Sequence, residues 1–247
     1  MPVSRLRQLE DRHADLLVAP LIARGATVFV AEHARAWIDL NRDPREIDAG
    51  MIEGLPPGGL IHSSRARSGL GLVPRHIGGG APLWRRKFSS GELGRRIADI
   101  HRPYHDGLAS ALAATRTRFG TAILLDCHSM PPLRLTNQGI PPAIVIGDRF
   151  GRSADGVLGD MIEVIAREAG FSCARNAPYA GGYSLDLHGD PRKRSHALQI
   201  EIDRSRYLDR QLDGPGPELA KTQALIAAIF DALCEEAQSM PHPVAAE

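Results

Sequence analysis

Short apolar runs alternate with longer amphipathic stretches over most of the chain. Apolar runs bounded by Gly or Pro are typical of strands in an α/β sheet, and we predict strands at residues 26–31, 37–40, 122–125, 143–146, 171–174 and 197–202. Apolar residues at helical spacing predict helices at residues 4–24, 89–119, 154–169 and 218–236. Because strands and helices alternate, the pattern predicts a three-layer α/β/α fold with a mixed, mostly parallel central sheet.

Local start and stop signals refine these elements. Pro20 and Pro103 predict a kink or a break in the first two helices. Ser89 and Glu92 have the spacing of a capping box and predict the start of the second helix. Residues 41–86 are rich in Gly, Pro and Ser and lack periodicity, which predicts a long loop region of the kind that usually serves function.

The composition narrows the class of protein. The chain has 247 residues, 43% of them hydrophobic, and a formal net charge of +1. This balance predicts a globular protein with no general attraction to nucleic acid or membranes, and we expect one domain over residues 1–247. Three cysteines without CxxC spacing are typical of a reducing cytosol, and no apolar run approaches the roughly 18 residues of a membrane span. We therefore expect a cytoplasmic protein, and no pattern predicts its oligomeric state.

Polar side chains follow the predicted strand at residues 122–125. In α/β sheets, ligands bind beyond the carboxyl ends of the strands, so His128 is a candidate metal ligand or general base. Asp126 lies two residues earlier, on the same side of an extended chain, and is a candidate for orienting the imidazole. Cys127 points the other way, as expected of a packed neighbour rather than a nucleophile. The alternative is a histidine that is merely hydrogen-bonded at a strand end.

Glu201 lies in the last predicted strand, at residues 197–202. Leu198, Ile200 and Ile202 alternate with Gln199 and Glu201, which is most often the pattern of a half-exposed strand. The functional alternative is a carboxylate directed into a cleft, where it activates water.

Arg35, Asn41 and Arg42 flank the short strand predicted at residues 37–40. Two guanidinium groups and an amide have the geometry to bind a carboxylate ligand. The alternative is a surface loop with salt bridges, the usual setting of arginine.

Two further groups are weaker candidates for metal binding. The acidic and histidine side chains near the start of the chain are Glu10, Asp11 and His13. Asp11 and His13 are two residues apart and do not share a helix face, so this region predicts a single ligand at most. His101 and His105 share a face, but Pro103 lies between them and the Glu of His-Glu-x-x-His is absent.

Taken together, several segments resemble the N-formylglutamate amidohydrolase family, which is similar to the zinc carboxypeptidase and aspartoacylase group. The segments that carry the resemblance follow the family's order and lie at residues 9–12, 35–42, 69–75, 102–105, 125–131, 176–182 and 197–204. The pair Asp39-Leu-Asn-Arg42 and Asp126-Cys-His-Ser129 is specific to the family.

This resemblance implies a phosphorylase/hydrolase-like fold and a cytoplasmic hydrolase of histidine degradation. The implied reaction is the zinc-dependent hydrolysis of the formamide of N-formyl-L-glutamate to glutamate and formate. By resemblance His128 is a zinc ligand and Glu201 is the general base. Asn41 and Arg42 bind the carboxylate of a small N-acyl amino acid substrate, and Arg35 polarises the scissile carbonyl.

The sequence departs from the family at one motif. The resemblance implies an earlier strand ending in Pro-His-Ser/Ala-Gly, whose histidine is the first ligand of the one zinc ion. The sequence lacks this motif, so we expect a chain truncated at its N-terminus with the first strand missing. Asp11 is assigned as a second ligand, with Glu10 and His13 as alternatives, and a third protein ligand is not found although catalytic zinc usually has three. Two alternative functions follow, a broader N-acyl amino acid deacylase and a catalytically impaired relative that binds carboxylates.

Overall fold

The structure is a computed structural model, and it describes residues 6–54, 58–77, 80, 82–134 and 140–240. Ser4, the predicted start of the first helix, and the tail at residues 241–247, predicted to fray, lie outside the described residues. The chain divides into two compact units. The first comprises Val30–Leu108 with Met1–Glu10, and the second comprises Asp11–Phe29 with Ala109–Glu247. Our expectation of one domain stays a prediction.

The helices in chain order are α1 (Ala14–Val18), α2 (Ser64–Arg67), α3 (Ser90–Arg96), α4 (Arg102–Phe119), α5 (Gly156–Glu168), α6 (Tyr183–His188) and α7 (Leu219–Ser239). The strands are β1 (Ile52–Glu53), β2 (Phe88–Ser89), β3 (Ala122–Met130), β4 (Ile144–Gly147), β5 (Cys173–Arg175) and β6 (Ser195–Asp203). The 3-10 turns are Arg7–Leu9, Ala19–Arg24, Ala49–Met51, Pro191–Lys193 and Arg204–Arg206. Over the described part of the chain, none of these helices has the length and apolar character needed to cross a bilayer.

The first unit has a small core under a region of mostly irregular chain. β1 and β2 form a short parallel pair. The core consists of Ile38, Ile47, Met51, Ile52, Leu72, Val73, Phe88 and Leu93. Among the described residues of the loop predicted at 41–86, the prediction is confirmed apart from the 3-10 turn Ala49–Met51, β1 and α2. Residues 55–57, 78–79 and 81 of this range lie outside the described residues.

A nearly continuous helical run follows β2 along the chain. The predicted capping box is confirmed, since Ser89 accepts the amide of Glu92 at 3.1 Å and the Glu92 side chain accepts the Ser89 amide at 3.0 Å. The helix does not break at Pro103, where a kink or a break was predicted. Instead, α3 continues through a π-helical turn at Ile97–His101 directly into α4, and a wide π turn is one way in which a helix accommodates an irregularity.

The second unit contains a mixed sheet with the strand order β3-β6-β4-β5. β3 pairs with β6 and β4 with β5 in parallel, whereas β4 and β6 are antiparallel. The predicted mixed, mostly parallel sheet is therefore confirmed. Because β6 lies between two neighbours, it is buried along most of its length.

Helices cover this sheet with apolar side chains. α5 packs on β4 and β5 and also on α7, and α6 packs on β6. The residues with no solvent exposure in this core are Leu17, Ile144, Ile146, Ala154, Leu158, Ile162, Ala166, Leu198, Ile200, Ile202, Tyr207, Ile226 and Ile229. The alternating apolar positions predicted in the last strand thus form part of the core.

Two predicted strands and one helix differ from the structure. Residues 26–31 and 37–40 form no strand. Phe29 and Val30 are 39% and 53% exposed, so this apolar run has no sheet face to bury. The first predicted helix is broken into a 3-10 turn, α1 and a second 3-10 turn that contains Pro20 near its start. The break predicted at Pro20 is confirmed, since α1 ends at Val18.

Candidate active site

The strand that carries His128 is longer than the sequence predicts. β3 runs from Ala122 to Met130, so Asp126 and His128 lie within the strand and not beyond its end. Their two-residue spacing places both side chains on one face of the sheet, as predicted. Asp126 Oδ2 lies 3.0 Å from His128 Nε2.

Asp11 meets the other nitrogen of the same imidazole. Asp11 Oδ2 lies 3.0 Å from His128 Nδ1. His13, one of the alternatives to Asp11, instead places Nε2 2.9 Å from the carbonyl oxygen of Asp213. Glu10, the other alternative, falls in the first compact unit. His128 is therefore held between two carboxylates in the second unit, those of Asp11 and Asp126.

Asp11 is held in place by side chains that had no predicted role. The amide and the hydroxyl of Ser129 donate to Asp11 Oδ1 at 2.8 and 3.1 Å. Arg204 Nε in turn donates to Ser129 Oγ at 3.0 Å, and the Tyr207 hydroxyl donates to the carbonyl of Arg12 at 2.6 Å. Arg204 was visible only as the last residue of a family segment, because nothing in its local pattern indicates a contact with β3.

The two carboxylates beside His128 change the pKa of its imidazole. Burial disfavours the imidazolium, but the carboxylates of Asp126 and Asp11 outweigh it and raise the pKa of His128 well above its ordinary value. Burial also raises the pKa of the Cys127 thiol, and this side chain packs against the core. The structure agrees with Cys127 as a packed neighbour, because a protonated thiol is a poor nucleophile.

Glu201 lies on the strand next to His128. In the parallel pairing of β3 with β6, His128 is opposite Glu201 and Asp126 is opposite Gln199. Gln199 Nε2 donates to Glu201 Oε1 at 2.9 Å. The interpretation of this segment as a half-exposed strand is wrong, because Gln199 is 3% exposed and Glu201 is only partly exposed. A carboxylate thus lies beside the acid–imidazole cluster.

Two atoms of the cluster, His128 Nδ1 and Asp11 Oδ2, could ligate one metal ion. Two ligands of one tetrahedral zinc ion lie about 3.3 Å apart, close to the 3.0 Å between His128 Nδ1 and Asp11 Oδ2. Asp126 Oδ2 is buried and, among the described residues, has no aligned hydrogen-bond partner. A search of the same residues for three or more His, Cys, Asp or Glu side chains arranged to hold a metal found none.

The first unit contains a separate cluster of charges centred on Asp39. Asp39 is 4% exposed, and its Oδ2 lies 3.1 Å from Arg35 Nε and 3.6 Å from Arg42 Nη2. Its Oδ1 accepts the amide of Asn41 at 3.0 Å. Burial alone would raise the pKa of Asp39, but the charges of Arg35 and Arg42, together with the hydrogen bonds from Asn41 and Arg35, outweigh burial and lower it. The carboxylate of Asp39 is therefore ionised.

The environment of Arg42 differs from that of a surface arginine. Asn41 and Arg42 are each 8% exposed, so the interpretation of this segment as a surface loop is wrong for both. Arg42 Nε donates to the carbonyl of Leu70 at 3.0 Å, and Nη1 donates to the carbonyl of Asn41 at 2.7 Å. Asp39 was missed as an organising residue, because residues 35–42 form no helix or strand whose spacing would place it beside Arg35 and Arg42.

The chain is an α/β protein, and a cluster of ionisable side chains on β3 and β6 forms its candidate active site. The family model for N-formylglutamate amidohydrolase matches residues 1–208. The chain belongs to the N-formylglutamate amidohydrolase family.

Individual relatives agree with this assignment. A protein of Pseudomonas putida described as N-formylglutamate deformylase is 34% identical over 191 residues, which are 75% of this chain and 65% of that protein. A Pseudomonas aeruginosa protein of the same description is 30% identical over 85% of this chain and 75% of its own length. The chain thus spans just under two thirds of the P. putida relative.

Solved structures confirm the α/β fold. The crystal structure of N-formylglutamate amidohydrolase from Ralstonia eutropha JMP134 matches with a TM-score of 0.90 and 32% identity, covering 96% of this chain and 87% of that chain. A gene product of Agrobacterium tumefaciens, 22% identical, matches with a TM-score of 0.50 over 82% of this chain and 69% of its own, which shows a similar fold. The kinship with zinc carboxypeptidases and aspartoacylases stays a prediction.

Proposed function

We propose that this chain hydrolyses the formamide of N-formyl-L-glutamate and releases formate and glutamate. Membership of the family and the two Pseudomonas relatives support this substrate. The observation that carries the proposal is the pairing of Glu201 with His128 across adjacent strands, beside the Asp11–His128–Asp126 cluster. A carboxylate in this position has the chemistry of a general base for the attack of water.

We also propose that the reaction depends on one zinc ion. His128 Nδ1 and Asp11 Oδ2 would hold it, with the Asp126 carboxylate, 3.0 Å from Nε2, orienting the imidazole by its charge. When bound, zinc lowers the pKa of a coordinated water to about 7 and stabilises negative charge on a carbonyl oxygen.

Proton transfer in the proposed reaction falls to Glu201. Its carboxylate takes a proton from the attacking water as the new C–O bond forms at the formyl carbon. It then gives that proton to the departing nitrogen as the C–N bond breaks, so that the base is regenerated. The Gln199 amide, which donates to Oε1, fixes the orientation of the carboxylate during both transfers.

The proposed substrate carries carboxylates, and the first unit offers a matching charge. The guanidinium groups of Arg35 and Arg42 both lie at the carboxylate of Asp39, and guanidinium groups bind carboxylates with strong, directional hydrogen bonds. We assign Asn41 and Arg42 to the binding of the substrate's carboxylate. The family resemblance is what assigns Arg35 to polarising the scissile carbonyl. Its contact with Asp39 is equally compatible with a role in binding the substrate's carboxylate.

Replacement of Glu201 tests the proposed function. Glu201→Gln keeps the volume and the contact with Gln199 but removes the base, so kcat for N-formyl-L-glutamate should fall by about 10²- to 10⁴-fold. Released glutamate and formate are measured together with the zinc content of the same protein, which should not change. Glu163→Gln, in an exposed i,i+4 pair with Arg167 on α5, is the matched control and should retain wild-type activity. Wild-type protein that contains zinc and releases no glutamate would refute the substrate, and a Glu201→Gln variant with wild-type kcat would refute the mechanism.

A carboxylate-binding relative without turnover is the second candidate function. It is favoured by the lack of a three-donor metal group among the described residues. Glutamate binding in a calorimetric titration, together with zero turnover of both N-formyl- and N-acetyl-L-glutamate, would establish it. Turnover of both substrates at similar rates would instead indicate a broader N-acyl amino acid deacylase.

A further inference from the structure

One helical run holds the backbone of the carboxylate-binding segment at three points. Arg96 Nη1 donates to the carbonyl of Trp37 at 2.9 Å. His105 Nε2 lies 2.9 Å from the carbonyl oxygen of Leu40, and His101 Nε2 lies 2.9 Å from that of Arg42. Because a carbonyl oxygen only accepts, each imidazole must carry its proton on Nε2. The helix side chains thus supply donors to a segment that belongs to no strand.

These donors are buried and mutually fixed. His101 is 2% exposed and His105 4% exposed, and their ring centroids are 4.6 Å apart. Arg96 is 5% exposed and stacks its guanidinium 3.5 Å from the centre of the Trp37 ring. Side chains packed in this way have little freedom to move, so the carbonyls that they bind are held in a defined direction.

The shape of the helix sets the spacing of the donors. The π-helical turn at Ile97–His101 lies between Arg96 and His105 and is closed by the bond from the Arg102 amide to the Ile97 carbonyl. A π turn contains one more residue than an α turn, so it changes the rotation between the side chains before and after it. His101 and His105 then follow at i and i+4 and face the same side.

The two histidines bind the backbone on either side of Asn41 and Arg42, the residues predicted to bind the substrate's carboxylate. The carbonyl of Leu40 belongs to the peptide bond between Leu40 and Asn41. The carbonyl of Arg42 belongs to the peptide bond between Arg42 and Asp43. The orientation of these two peptide planes sets the directions in which the side chains of Asn41 and Arg42 leave the backbone.

We propose that His101 and His105 are positioning residues that hold Asn41 and Arg42 in the geometry needed to bind a substrate carboxylate. The carboxylate is the ligand implied by the proposed function, on which this inference rests. Burial lowers the pKa of His101, against the opposing effect of the Arg42 carbonyl, so the ring stays neutral with one donor nitrogen. His101 and His105 therefore act through the backbone and do not themselves contact the substrate.

Calorimetric titration with L-glutamate, run beside steady-state kinetics with N-formyl-L-glutamate, tests this inference. His101→Leu and His105→Leu remove the donor, and each should weaken glutamate binding and raise KM by about 10- to 100-fold, the cost of a small misplacement of binding groups. The value of kcat should change much less than KM. His62→Leu, at an exposed histidine of the same unit, is the matched control and should bind glutamate as the wild type does.

A second pair of variants decides the result even if the leucine variants do not fold. In His101→Gln the side-chain amide nitrogen takes the place of Nε2 and keeps the donor, whereas in His101→Asn the side chain is too short to reach the Arg42 carbonyl. Glutamate affinity retained in the Gln variant and lost in the Asn variant would support positioning. Equal affinity in both, or unchanged affinity in folded leucine variants, would overturn it. Wild-type protein that binds glutamate without hydrolysing N-formyl-L-glutamate would refute the proposed function but not the positioning role of the histidines. The titration measures glutamate binding and does not depend on turnover.

Discussion

Replacement of Asp39 by Asn should destabilise the first unit strongly. Asp39 is nearly fully buried between Arg35 and Arg42. The Asn side chain can still accept the Asn41 amide, but it loses the charge that compensates the two guanidinium groups. A hydrogen bond to a charged group contributes about 1.5–3 kcal/mol, and breaking a buried ion pair from one side costs about 3–5 kcal/mol. Because Arg35 retains 29% exposure of its side chain, we expect the lower end of that range, about 3 kcal/mol in the free energy of unfolding.

Tryptophan fluorescence in a urea titration measures this loss directly. The chain has two tryptophans, Trp37 and Trp84, and both lie in the first unit with ring centroids 6.0 Å apart. Asp48→Asn is the matched control, because Asp48 pairs with Arg75 at a more exposed position. Exposed pairs contribute about 0–1 kcal/mol. If Asp39→Asn shifted the free energy of unfolding no more than Asp48→Asn does, the buried charge balance inferred here would be refuted.

The pH dependence of the Asp39→Asn effect has a defined sign. The folded protein holds the pKa of Asp39 below its ordinary value, because the nearby arginine charges, together with the hydrogen bonds from Asn41 and Arg35, outweigh burial. The stabilisation is therefore fully present above the unfolded pKa of about 3.9 and is lost as the pH falls through the lower, folded pKa. The difference between wild type and variant should stay constant from about pH 7 to pH 5 and shrink only below about pH 3.9. A difference that already declined near neutral pH would assign the effect to another group.

Two further predictions concern the second unit. The Asp155 amide donates to His196 Nδ1 at 3.2 Å, and burial lowers the pKa of His196. The unfolded chain therefore binds a proton at this histidine more readily than the folded chain. The free energy of unfolding should fall below about pH 6.5, by up to about 1.4 kcal/mol per pH unit. His196→Asn, whose side-chain oxygen keeps an acceptor near the position of Nδ1 but does not titrate, should reduce this slope in urea unfolding between about pH 7.5 and 5.5, and an unchanged slope would contradict the assignment. In Gly147→Ala the new Cβ would meet the backbone of the loop after β5 at 2.7 Å, so thermal unfolding should show a loss of about 1–3 kcal/mol. Gly94→Ala, whose Cβ on α3 meets nothing within 4 Å, should instead gain about 0.5–1 kcal/mol, and a gain at both glycines would refute the steric argument.

The strands of the larger sheet were predictable because their pattern is local. The apolar runs that became β3, β4, β5 and β6 are short and bounded by breakers, and each was found within a few residues of its predicted position. The capping box before α3 was predictable for the same reason, since its two hydrogen bonds join residues three apart. The strands predicted at residues 26–31 and 37–40 were wrong, because an apolar run becomes a strand only if a neighbouring strand and a buried face are available to it.

Candidate residues were named from the sequence, but their partners were not. His128, Glu201 and Arg42 were singled out by residue type, position in a motif and family resemblance. The residues that organise them, such as Asp39 and Arg204, carry no local signal strong enough to identify them in advance. Their roles follow from contacts across long stretches of chain, such as the bond from Arg204 to Ser129, 75 residues away.

The sequence by itself determined the α/β class, the family and the chemical types available to a site, because periodicity, capping and motifs are properties of neighbouring residues. Only the tertiary structure decided which groups meet. It set Asp11 on an imidazole 117 positions away, and it aligned Glu201 beside that imidazole through the register of β3 and β6. It also placed the His101 and His105 donors on the carbonyls of residues 40 and 42. The physical reason is that buried polar groups must find partners wherever packing brings them, and no local pattern records which distant group will satisfy them.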